Sequence, residues 1–144
     1  MRRDADGRIV CRAAEGSSLM TSPADPNPWI VRHKSRPAAR LRLFCFPYAG
    51  GTASAFRLWW QHLPDDVEVC AVQPPGREGR LREPLFRRVP QLVETLAGAL
   101  EPLCNLPFAF LGHSVGALLG FELARHLRQT GSSLPLQLFV SGCR

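Results

Sequence analysis

Phe108-Ala109-Phe110-Leu111-Gly112-His113-Ser114-Val115-Gly116-Ala117 is the stretch on which the fold turns. Its first four residues form a short apolar run, as in a strand buried on both faces. From Val115 to Arg128 the sequence reads as a helix, stopped by Gly131. Between them, Gly112-His113-Ser114-Val115-Gly116 is a G-x-S-x-G segment at a strand-to-helix junction. With 12 Gly and 9 Ser in 144 residues, chance supplies roughly 0.06 such matches, so the segment is read as a structural device. A serine held on a tight, strained turn brings the residues two before and two after it into close approach, where only residues without a Cβ fit. Gly112 and Gly116 meet that demand, and Gly120 is expected to let the helix pack close to the sheet. Ser114 Oγ would then be exposed at the C-terminal edge of the sheet, over the positive end of the helix. That makes Ser114 the candidate nucleophile.

Outward from this junction the chain alternates. Trp29-Ile30-Val31 reads as a short edge strand, residues 36–40 as a turn, and Leu41–Phe46 as a strand closed by Pro47. After a glycine-bearing loop, Tyr48 to Thr52, residues 53–63 carry Phe56, Trp59, Trp60 and Leu63 at helical spacing. Val67–Val72 is a strand ended by Pro74-Pro75-Gly76. Val89, Leu92, Val93, Leu96, Ala97, Leu100 and Leu103 trace one helical stripe, with Pro90 in the first turn. Residues 136–140 form a last strand. The order predicts an α/β domain, a parallel sheet with helices on both faces, over residues 29–144. Residues 1–28 lack periodicity and are expected to be a disordered or poorly structured extension, with Met20 as an alternative start.

The composition narrows the function classes. At 45% hydrophobic and 21% charged residues, the chain fits one ordinary soluble domain. No apolar run reaches the roughly 18 residues of a membrane span, and the charged N-terminus is followed by no apolar stretch of an export signal. The net charge of +6 is concentrated in residues 1–44, which hold nine Arg/Lys against four Asp/Glu; the remainder holds nine against eight. No groove-reading motif accompanies this excess, so a nucleic-acid partner is not expected. Five scattered cysteines, without a C-x-x-C pair or a histidine at zinc-ligand spacing, point to no disulfide framework and no metal site. A reducing cytoplasm is the expected compartment.

Acyl transfer at a serine also needs N–H donors for the developing oxyanion. The amide of Val115, next after the nucleophile, is one; the other is expected from the loop after the first strong strand, with Ala49 preferred and Tyr48 or Gly50 as alternatives.

Four segments together resemble a known family. Phe44-Cys45-Phe46-Pro47-Tyr48-Ala49-Gly50-Gly51, Val72-Gln73-Pro74-Pro75-Gly76-Arg77-Glu78, Gly112-His113-Ser114-Val115-Gly116-Ala117 and Phe139-Val140-Ser141-Gly142-Cys143-Arg144 look like the successive signatures of type II thioesterases. These are stand-alone editing enzymes of polyketide and nonribosomal peptide synthesis with an α/β-hydrolase fold. The resemblance implies hydrolysis of acyl groups from the phosphopantetheine arm of acyl or peptidyl carrier proteins, with no cofactor of the enzyme's own. Carrier proteins are acidic near that arm, so Arg77, Arg80 and Arg82 in the loop from Gly76 to Arg88 are candidate contacts.

A serine nucleophile needs a histidine and a carboxylate, ordered Ser, acid, His in this superfamily. After Ser114 the chain holds only Glu122 and His126. At 1.5 Å per residue they lie about 12 and 18 Å along a helix running away from the turn, out of reach. They are expected to form an exposed pair on that helix. His33, His62 and His113 are read as structural or solvated. The triad acid and base are therefore expected outside these residues: the chain reads as the N-terminal part of the hydrolase domain, with little hydrolysis of its own. Two alternatives stay open, an inactive carrier-binding remnant and another serine acyltransferase or esterase.

Overall fold

The structure, a computed structural model, describes residues 27–142 together with the antiparallel pairing of two short strands, β1 (Arg2–Arg3) and β2 (Ile9–Val10). The rest of the extension expected over residues 1–28, as far as residue 26 and including Met20, lies outside the described residues, as do Cys143 and Arg144.

The apolar runs form a five-stranded sheet. Its strands are β3 (Ile30–Val31), β4 (Leu41–Phe46), β5 (Val67–Val72), β6 (Phe108–His113) and β7 (Leu138–Ser141), in the order β3-β5-β4-β6-β7. All neighbours are parallel except β3, which runs antiparallel to β5 at the edge, as the short Trp29-Ile30-Val31 segment foreshadows. The central strand β4 has Phe44, Cys45 and Phe46 fully buried, which explains its lack of polar alternation.

Side-chain alternation sends two aromatic pairs to one face. Phe44 and Phe46 from β4 meet Phe108 and Phe110 from β6 with ring centroids 5.1–6.1 Å apart, mostly edge to face. Onto them pack α1 (Val89–Leu100), through Val93, Leu96 and Leu100, and α2 (Val115–Thr130), through Leu123 and Leu127. The α2 helix ends where expected: Gly131 is left-handed (φ 69°), and Ser132 N–H reaches back to the Leu127 carbonyl.

The opposite face differs from expectation. Both α-helices lie on the first face; the second is covered by two 3-10 turns, Ala53–Phe56 and Trp59–Gln61, in place of the helix expected over 53–63. The reason is competition for the backbone. Pro64 has no N–H to return to Trp60, and the Arg36 guanidinium takes the Trp60 carbonyl at 2.7 Å and the Val67 carbonyl at 3.0 Å, with the Pro64 carbonyl beside them. Ala53 N–H is likewise taken by the Gln73 side chain. At the far end of the sheet from Ser114, buried Glu68 of β5 is held by Arg42 of β4 at 3.0 Å and receives the Arg36 N–H. Among the described residues, no helix is long and apolar enough to cross a membrane.

Candidate active site

Ser114 sits between β6 and α2 with φ 55° and ψ −119°, outside the regions that a side chain favours. Such strain costs about 1–3 kcal/mol and persists only where the surroundings enforce it. They do so here from both sides. Ser114 N–H donates to the Ser141 carbonyl at 2.8 Å, extending the β6–β7 ladder into the turn, and its own carbonyl accepts from Ala117 N–H at 2.9 Å, opening α2.

The flanking glycines are required by contact. A Cβ on Gly112 would overlap the Gly116 carbonyl and the Ala117 Cα; one on Gly116 would overlap the Phe46 carbonyl and stand 2.6 Å from that of Pro47. The backbone of Phe46 and Pro47, at the end of β4, is therefore in direct contact with that of Gly116 at the start of α2. Gly120 is different: a Cβ there would meet nothing closer than 3.4 Å, so the packing expected of it does not demand glycine.

Neither Val115 N–H nor Ala49 N–H has an acceptor among the described residues. Both are free to bind an external oxygen, and the positive end of a sixteen-residue helix lies under the first. The loop carrying Ala49 is closed by Gly51 N–H donating to the Tyr48 carbonyl at 2.8 Å.

Two residues of the Gln73–Glu78 segment shape this loop. Gln73, buried at the end of β5, accepts from Ala53 N–H at 3.0 Å and donates to the Arg77 carbonyl at 3.3 Å. Glu78, at φ 45°, accepts the Thr52 hydroxyl at 2.6 Å. Hydroxyl donation from Thr52, then Ser54, holds the Glu78 carboxyl below the usual carboxylate range. Their only signal in the sequence was membership of the Gln73–Glu78 segment.

Arg80 does not join an exposed basic patch. Its guanidinium lies 4.2 Å from the Trp29 ring, donates to the Gln73 carbonyl at 2.8 Å and grips Glu83 with two bonds of 2.8 and 2.6 Å, leaving it buried. Arg82 is exposed and Arg77 half-buried, so only these two of the three candidates face outward.

Glu122 and His126 are half-buried on α2, and Glu122 pairs with Arg125 at 2.9 Å; the expected Glu122–His126 pair does not form. His33 donates to the Ala53 carbonyl at 3.2 Å, a structural bond. His62 lies in an open groove with Arg57 and Trp59, away from Ser114. The Ser114 hydroxyl has no hydrogen-bond partner among the described residues. Among them, too, no cluster of His, Cys, Asp and Glu could hold a metal ion. Cys45 and Cys70 lie on opposite faces of the sheet, their thiols pushed up by burial, that of Cys70 to about 12.

A serine on a strained strand-to-helix turn, at the C-terminal edge of a mainly parallel sheet, defines a domain of the α/β-hydrolase class. Within that class, residues 41–144 match the thioesterase domain family, and the chain belongs to it. It is 52% identical over 123 residues to the gramicidin S biosynthesis protein GrsT of Aneurinibacillus migulanus, covering 85% of this chain and 48% of that protein. The RedJ thioesterase of the prodiginine pathway in Streptomyces coelicolor superposes with a TM-score of 0.70 at 47% identity, covering 89% of this chain and 45% of that one. The type II thioesterase BorB of the borrelidin cluster gives 0.73 at 36% identity, covering 85% and 51%. The chain thus spans about half the length of the relatives it matches.

Proposed function

We propose that this chain carries the nucleophile side of a thioesterase acting on acyl groups held by the phosphopantetheine arm of carrier proteins in nonribosomal peptide or polyketide assembly. The observation that carries the reading is Ser114 at φ 55°, locked by backbone contact between Gly116 and the end of β4. In this reading Ser114 Oγ attacks the thioester carbonyl while the Val115 and Ala49 N–H groups receive the developing oxyanion. The C–S bond breaks, the pantetheine thiol leaves with a proton, and the acyl group remains as an ester on Ser114. Water then cleaves that ester, releasing the acid and restoring the hydroxyl. No cofactor enters; the phosphopantetheine belongs to the substrate. Arg77 and Arg82 would meet the acidic carrier surface.

Proton removal from Ser114 needs a base, and no imidazole or carboxylate is bonded to its hydroxyl among the described residues. The chain by itself is therefore proposed to capture acyl groups without efficient turnover. Mixing it with p-nitrophenyl butyrate should release about one equivalent of nitrophenolate, with the butyryl mass on Ser114 and slow release thereafter; Ser114→Ala should give none. Labelling that survives Ser114→Ala would remove the nucleophile assignment, and turnover matching a complete thioesterase would remove the claim of capture without release.

A further inference from the structure

We infer that His113 is a positioning residue, holding the Tyr48-Ala49 segment in place and through it the second oxyanion donor beside Ser114; this rests on the reading of Ser114 as nucleophile. His113 is exposed and close to the site, yet it makes no bond to the Ser114 hydroxyl. Its ring is instead fixed from two sides. On one, the register pairs His113 with Ser141, and Nδ1 lies 3.1 Å from the Ser141 hydroxyl; a Cβ on the next residue, Gly142, would come within 2.6 Å of the imidazole. On the other side the Tyr48 ring packs edge to face, with centroids 5.9 Å apart and planes at 88°.

Tyr48 depends on that contact. Its ring is half exposed, and among the described residues it has no other aromatic neighbour and its hydroxyl no hydrogen-bond partner. Its main chain is the lever. Tyr48 follows Pro47, whose carbonyl lies against the start of α2, precedes Ala49, and accepts the Gly51 N–H that closes the loop. Where the ring rests therefore sets the direction of the Ala49 N–H, and Glu78 holds the far end of the same loop through Thr52. The imidazole works as a spacer between β7 and the loop after β4, on either side of the nucleophile.

Tyr48 is the only tyrosine of the chain, so protein labelled with 3-fluorotyrosine gives one 19F resonance reporting this contact. That resonance and the rate of Ser114 acylation by p-nitrophenyl butyrate are measured in His113→Ala, His113→Phe and Ser141→Ala. His113→Ala should move the resonance and slow acylation about tenfold, a displaced donor costing less than the hundredfold or more of a deleted one. His113→Phe keeps a ring against Tyr48 and should restore both to within about threefold; Ser141→Ala should fall between, and these two variants decide the matter if His113→Ala does not fold. An unmoved resonance, a moved one with unchanged acylation, or failure of Phe to rescue overturns the inference. No acylation of the unsubstituted protein overturns the nucleophile reading and this inference with it, a failure visible before any substitution is made.

Discussion

Gly112, Gly116 and Gly120 stand four residues apart in the chain, and only the first two are sterically obliged to be glycine. Alanine at either would drive a methyl group into backbone that cannot retreat, so Gly112→Ala and Gly116→Ala should yield no cooperative thermal transition. Gly120→Ala should fold and keep its stability within about 1 kcal/mol, the helix preference for Ala offsetting a tightened contact with Leu138 and Phe46. Glu78 allows a test by pH. Its carboxyl titrates lower in the folded protein than its ordinary value of 4.5. The charged form is thus the favoured one, and its stabilisation is present above that value and lost as pH falls through the folded-state pKa. Denaturant midpoints of the protein and of Glu78→Gln should differ at pH 7 and converge as acid titrates the carboxyl; a gap that does not narrow as the pH is lowered would contradict the Thr52–Glu78 bond. The strained turn at Ser114 was legible in the sequence because its geometry is written into the glycines around it. Arg80 was not, because an arginine in an Arg-rich loop is spelled the same whether it faces solvent or, as here, an indole contributed from far earlier in the chain.

Strands and helices were legible to different degrees. The sheet strands β4, β5 and β6 read directly from runs with no polar alternation, since both faces are covered. The segment 53–63 misled, for its apolar spacing is helical while the Trp60 and Leu63 carbonyls at its end belong to Arg36, a partner lying before β4. Periodicity reports which side chains are buried and says nothing of who takes the main-chain bonds. Arg36→Lys tests this. A lysine cannot span the same set of carbonyls, and each one left unmet in the interior costs about 1–3 kcal/mol. The variant should lose about 2 kcal/mol in urea unfolding and alter the fluorescence of Trp59 and Trp60, with the α-helical circular dichroism retained. An unchanged midpoint would mean that water serves those carbonyls equally well.

At the scale of the whole molecule the sheet has two edge strands, β3, beside which Trp29 lies buried under Arg80, and β7, whose Leu138-Phe139-Val140-Ser141 has no strand on its outer side among the described residues and carries neither charge nor proline to discourage pairing. Val140 is 60% exposed and Leu136 70%, and Leu118 and Phe121 of α2 are exposed as well. Such a surface should bind the dye ANS and drive self-association at raised concentration. Phe139→Lys with Val140→Lys should reduce both in dye titration and light scattering; equal scattering would place the association elsewhere. The placing of both α-helices on one face depends on long-range packing that local periodicity does not encode. The β7 edge also bears on how long the strained turn at Ser114 stays in place. Ser114 N–H is bonded to the carbonyl of Ser141, the last residue of β7, so the amide of this turn takes its protection from the end of an edge strand. Hydrogen exchange at Ser114 should keep pace with that of Leu138–Ser141 and outrun the buried turns of α2, and anything that pins the outer strand should lengthen the lifetime of the strained turn.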